Sequence, residues 1–188
     1  MAWFDIVNLD RRFVLTGVHA AGTTTWTLPS SVVDTTLDTI VLGPDFGTAA
    51  GTILTAVSAG GTPSTFTVAG SYGAGNSVLG RGYTASCELT RPFVTDRDGN
   101  PDTDAYVGLI SLSATLHNTG SARIRWVRSG RAERTRTFDQ DPLAQRATLL
   151  EWLGGPADET QVFIESTSPK PFTVTGIEWT VDYTPRDD

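Results

Sequence analysis

The chain has one cysteine, two histidines and a single lysine among 188 residues. One cysteine, Cys87, excludes an intrachain disulfide framework and a cysteine-based zinc site. It lies in the strand-like run 83–89, where its expected role is that of a small buried hydrophobe. His19 and His117 each sit near a turn, and no metal-binding histidine pair, phosphate loop, nucleophile elbow or kinase signature occurs. Charge is scarce as well: 19% of residues are charged, against about 25% in ordinary domains. No window approaches the length of apolar chain that spans a bilayer, so no membrane span is expected. Met1-Ala2-Trp3-Phe4-Asp5-Ile6 lacks the basic start and apolar core of a secretory leader, which points to folding in a cytoplasm.

Threonine and glycine are abundant instead, and they suit strands and turns. The net charge of −7 and the low isoelectric point, about 4.7, argue against a general nucleic-acid binder, which needs positive surface. Short runs of strand character recur along the chain. Arg12-Phe13-Val14-Leu15 leads to a loop bracketed by Gly17 and Gly22. Thr24-Thr25-Trp26-Thr27-Leu28 alternates and stops at Pro29, and Thr39-Ile40-Val41-Leu42 stops at Gly43-Pro44. Residues 52–57 and 65–68 flank Gly60-Gly61-Thr62-Pro63 and read as a hairpin with a longer loop. The expected fold is all-β, an antiparallel β-sandwich or barrel-like set of sheets with at most one short helix. Gly70 to Gly82 is the best internal boundary, dividing a small β subdomain, 1–70, from a larger antiparallel domain, 71–188. Its glycines do not match a phosphate-binding loop, because a strand follows where a helix is needed.

The larger part has the clearest patterns. Between Tyr106 and Leu116, Ile110, Leu112, Ala114 and Leu116 alternate with polar residues, as in a half-buried strand. After Asn118-Thr119-Gly120, Ile124 and Trp126 should point inward and Arg123 and Arg125 outward. Arg128-Ser129-Gly130-Arg131 reads as a hairpin end, with Arg134 and Arg136 on the returning strand. This hairpin is the strongest charge feature, six arginines and one glutamate in a chain of net charge −7. Arg123, Arg125, Arg128, Arg131, Arg134 and Arg136 are candidates for a subunit interface, since the planar guanidinium fork suits carboxylates across a contact. The plainer reading is a solvated hairpin with pairs inside the chain. Asp141-Pro142 followed by a leucine-rich run to Leu153 is the one place for a short helix, with a strand over 147–153 as the alternative. In the last strand the apolar phase slips from Phe172 and Val174 to Ile177, Trp179, Val181 and Tyr183. One buried face then requires a bulge, most naturally at Gly176.

Asp96, Asp98, Asn100, Asp102 and Asp104 are the only residues with metal-like spacing, the alternate oxygens that calcium prefers. The glycine is misplaced for an EF-hand and no glutamate closes the loop, so an ordinary polar turn competes with calcium. Catalytic residues and cofactor motifs are not in evidence. A carboxylate pair such as Glu165 and Glu178 has no spacing that selects it for glycoside hydrolysis. Trp3, Trp26, Trp126, Trp152 and Trp179 suit a core more than a sugar platform.

Two segments carry a resemblance. Ser168-Pro169-Lys170-Pro171, then a strand with Glu178-Trp179 and the tail Tyr183-Thr184-Pro185-Arg186, resembles the C-terminus of the phage tail tubular protein B family. Gly80-Arg81-Gly82-Tyr83, continuing through Cys87-Glu88-Leu89 to Arg91-Pro92-Phe93, resembles that family's central β-rich region. The likeness is loose before residue 76 and better after it. It implies a structural, non-enzymatic part of a virion tail, assembled in the host cytoplasm. It further implies a homo-oligomeric ring, typically six-fold, that joins an adaptor ring and lets DNA pass without reading its sequence. Family members are several times longer, so ring formation by this chain alone is an open expectation. A carbohydrate- or receptor-binding β module of a virion is the alternative, and a β-scaffold hydrolase a more distant one.

Overall fold

Alternating threonine and large apolar residues make strands that are buried on one side only, and such strands must pair their sheets face to face. The computed structural model describes residues 7–72, 75–95 and 105–184, the side chains of 141–143 excepted. Among these residues there are thirteen strands and a short 3-10 helix at Pro44–Ala49. Every strand pair is antiparallel. The chain forms two compact units, Met1–Thr84 with Thr167–Pro171, and Ala85–Ser166 with Phe172–Asp188.

In the first unit, β1 (Asp10–Thr16), β8 (Asn76–Arg81), β4 (Thr39–Leu42) and β5 (Ile53–Thr55) make one sheet. A second holds β2 (Val18–Ala20), β3 (Thr23–Thr27), β7 (Thr65–Ala69) and β6 (Val57–Gly60). Trp26, Phe66, Ile40, Leu42 and Leu79 fill one buried cluster drawn from both sheets. The Trp26 indole donates to Ser77 Oγ at 3.0 Å, a buried bond from β3 to β8. The expected hairpin over 52–68 is therefore divided. Residues 53–55 pair with β4 while 57–60 pair with β7. The chain changes sheet at Ala56, which is buried and donates its amide to the Asp38 carbonyl at 2.7 Å. The glycine-rich stretch contains β8, a strand interior to this unit. Gly80 is close-packed there, since a Cβ would stand 2.8 Å from that of Leu9.

The second unit is built on one long hairpin, β10 (Tyr106–Arg128) and β11 (Arg134–Pro156). The helix considered for 141–153 is not formed, and β11 runs through it as strand. β13 (Val174–Thr184) lies along the first half of β10. β12 (Thr160–Ser166) lies along its second half, with β9 (Ala85–Glu88) outside β12. Cys87 is exposed, not buried, because β9 is an edge strand.

Bulges set which residues face inward. Opposite one another, β13 steps from Val181 to Thr180, β10 from Leu109 to Ser111, and β11 from Gly155 to Trp152. The sheet fans there, and Leu109 enters the core while Ile110, expected inside, is 38% exposed. The expected slip in the last strand is present. Gly176 pairs with Thr115 and Val174 with Leu116, leaving Thr175 as the extra residue. Trp179 and Val181 pack on the core as expected, whereas Ile177 and Tyr183 are exposed.

A straight strand of this length would carry Trp126 roughly 45 Å from Leu112. Glu151 pairs with Leu112, yet the Trp126 indole donates to Glu151 Oε1 at 3.3 Å. The hairpin thus curls until its tip meets its base, and Leu112, Leu116, Ile124, Trp126, Leu153 and Ile164 share one core. The bend lies at Asn118, whose φ is +46°. There Thr119 pairs with Ala144 and Ser121 with Asp139, so four residues of β11, 140–143, stand against the single Gly120 of β10. The buried Thr119 hydroxyl donates to the Thr173 carbonyl and accepts from the Thr173 amide, each at 3.0 Å.

Candidate functional site

The arginine hairpin turns where its sequence predicts. Arg131 donates its amide to the Arg128 carbonyl at 3.0 Å, and Gly130 takes a φ of +70°. Strand alternation does the rest. Ile124 and Trp126 are buried, while Arg123 and Arg125 project from the opposite face.

That face holds a carboxylate which residue spacing does not reveal. Glu165 pairs in register with Arg123 and is only 3% exposed. Arg123 donates Nε to its Oε2 at 2.8 Å and Nη2 at 2.7 Å. Arg125 donates Nε and Nη2 to Oε1, both at 2.9 Å, and the Ser86 hydroxyl adds a bond at 3.0 Å. A buried carboxylate is tolerable only with such partners. Burial pushes the Glu165 carboxyl up, but hydrogen bonds from Arg125, Arg123 and Ser86 outweigh it, holding the group below the usual carboxylate range. Arg125 also reaches Glu133 at 3.3 Å and lies over the Phe163 ring at 3.9 Å. Burial works against its charge, and Glu165 more than restores it. Two arginines and two glutamates leave this side nearly neutral.

The remaining arginines occupy different surroundings. Arg134 and Arg136 stand opposite Trp126 and Ile124 in register, on the core-facing side of β11. Arg128 donates Nη1 to the Gly154 carbonyl at 2.7 Å, across the curl. The Arg134 guanidinium sits 5.6 Å from the Trp126 ring centre. Arg128, Arg131 and Arg134 line a cleft of about 350 Å³ with Trp126, Leu153 and Gly154. Among the described residues, Arg131, Arg134 and Arg136 form no ion pair. The six candidates are thus one neutralised pair and a separate basic group at the hairpin tip.

Other candidates are more scattered. Asp96, Asp98, Asn100, Asp102 and Asp104 lie outside the described residues. Among the described residues no cluster of three metal-binding side chains occurs. Glu165 is taken up by Arg123, Arg125 and Ser86, while Glu178 pairs with Ser113 on the other half of β10. Trp26 and Trp126 are core residues, and Trp152 is 66% exposed. A second cleft, of about 420 Å³, is lined by Arg91, Phe93, Tyr106 and Asp158. Sequence reading missed it because its walls come from three separate segments, the loop 90–93, the start of β10 and the turn after β11. No helix among the described residues is long and apolar enough to cross a membrane. No family model matches the chain, and no curated protein matches it.

Proposed function

We propose that the chain is a structural component of a bacteriophage tail, a nozzle- or tube-like ring subunit around the channel through which DNA leaves. The observation that carries this reading is the resemblance of two segments, Gly80 to Phe93 and Ser168 to Arg186, to the tail tubular protein B family, in that family's order. Supporting it, the frame is all-β, and β11 has one edge without a partner strand among the described residues. Such an edge is a template for pairing with a second chain unless it is protected. Arg123 and Arg125 are already matched by Glu165, so Arg136 and the β11 edge are the first interface positions to test. Head-to-tail contacts of this kind close into rings, here a homo-oligomer of six-fold type next to an adaptor ring in a virion tail assembled in the host cytoplasm.

Light scattering on the purified chain, with negative-stain images of the main peak, tests the reading. A ring of several subunits with a central hole is the expected result, and Arg136→Glu should dissociate it. A clean monomer at high concentration overturns ring formation by this chain. The alternative is a receptor- or carbohydrate-binding module of a virion. It is favoured by one observation, the exposed Phe93 and Tyr106 at the mouth of the second cleft. That reading predicts a monomer whose binding to a glycan panel is lost in Tyr106→Ala.

A further inference from the structure

We propose that the cleft at the tip of the arginine hairpin is an oxyanion site that takes a phosphate group, held by Arg128, Arg131 and Arg134. The site is independent of whether the chain forms a ring.

The lining holds three guanidiniums and no carboxylate. The same hairpin shows the opposite arrangement on its other face, where two arginines are answered by Glu165 inside the chain. The nearby acid on the core side, Glu151, is engaged by the Trp126 indole. A carboxylate carries one charge and two oxygens. A phosphate monoester carries about −1.5 to −2 at neutral pH and three acceptor oxygens, the better match for three forks.

Two of the three arginines are also held in place before any ligand arrives. Arg128 is fixed by the Gly154 carbonyl. It lies directly over Gly155, where an added Cβ would collide with Nη1 and where φ is +137°. Only glycine leaves room for the guanidinium at that point. Arg134 rests near the Trp126 ring, a cation–π placement that limits its freedom. Trp126 and Leu153 form an apolar wall, which strengthens charge-assisted bonds by excluding water. The cleft is larger than a lone phosphate ion needs, so it has room for the group to which a phosphate is esterified. Two sources share this chemistry, a free phosphorylated small molecule and a nucleic-acid backbone.

Isothermal titration of the full chain at low ionic strength tests the site, first with inorganic phosphate and then with a single-stranded octanucleotide. Saturable one-to-one phosphate binding is expected. Arg131→Gln with Arg134→Gln should weaken it about tenfold or more. Both side chains are exposed, so the double variant should keep the wild-type circular dichroism and melting temperature. Arg136→Gln, outside the cleft, should bind phosphate as wild type does. An octanucleotide that binds more tightly than phosphate, and weakens in the same double variant, identifies a nucleic-acid backbone as the source. A response to phosphate alone identifies a free phosphorylated molecule. No saturable phosphate binding, or equal affinity in the double variant and wild type, overturns the proposal.

Discussion

The Trp126 indole donates a hydrogen bond to Glu151 Oε1 at 3.3 Å, although the two residues sit near opposite ends of the same hairpin. This bond and the Arg128 contact to the Gly154 carbonyl join the tip of the hairpin to its base. Trp126→Phe keeps most of the buried ring and removes the indole donor. It should cost about 1 kcal/mol in urea unfolding. Trp126→Ala also opens a cavity and should cost about 3–5 kcal/mol. Equal losses in the two variants would mean that the indole bond, and not packing, dominates the closure.

Glu165 should make stability depend on acid. Its carboxyl is held below the ordinary value of 4.5. The stabilisation is therefore complete above the unfolded-state value and is lost as pH falls through the folded one. Unfolding followed from neutral pH down to the strongly acid range should show this loss. Glu165→Gln should flatten the acid limb and cost about 2–3 kcal/mol at neutral pH, moderated because both arginines keep some solvent contact. An unchanged acid limb in that variant would remove Glu165 from the account.

Thr119 joins the bend to the start of the last strand through two bonds to Thr173. Thr119→Val keeps the shape and loses both bonds, leaving the Thr173 amide unanswered. A loss of about 1–3 kcal/mol is expected, and Thr119→Ser should recover most of it. Amide exchange at Thr173 reads the same contact directly and should quicken in the valine variant only.

Gly155→Ala should be destabilising by about 1–3 kcal/mol, because the backbone there is left-handed and Arg128 occupies the space. Adding Arg128→Ala to it should relieve the collision but not the backbone strain. A double-mutant cycle separates the two contributions.

Cys87 is exposed on the edge strand β9. A thiol reagent should therefore modify it in the native protein as fast as in the unfolded chain, to within about tenfold. Protection of several orders of magnitude would mean that something covers this edge in solution.

Strand positions, the turn at 128–131 and the opposite facing of Trp126 and Arg125 were legible in the sequence, since each depends on residues close together in the chain. Leu109 in place of Ile110 was not, because a bulge is decided by the strands on either side of it. The helix considered for 141–153 failed for a related reason. Pairing with β10 outweighs the local preference of a leucine-rich run. The hairpin around Gly60-Gly61-Thr62-Pro63 forms between 57–60 and 65–69, but its expected first arm leaves for the other sheet, because nothing local to Ala56 says that the chain changes sheets.

By itself, then, the amino-acid order determined an all-β chain, a bulged final strand and an arginine-rich hairpin. These follow from a side-chain period of two and from turn chemistry, which act over a few residues. Only the tertiary structure decided that Glu165 would meet Arg123 and Arg125, that the hairpin would curl until Trp126 reached Glu151, and that Arg128, Arg131 and Arg134 would share a cleft with Leu153. Those relationships join residues about twenty to forty positions apart, and such contacts depend on the packing of whole sheets, which no local pattern encodes.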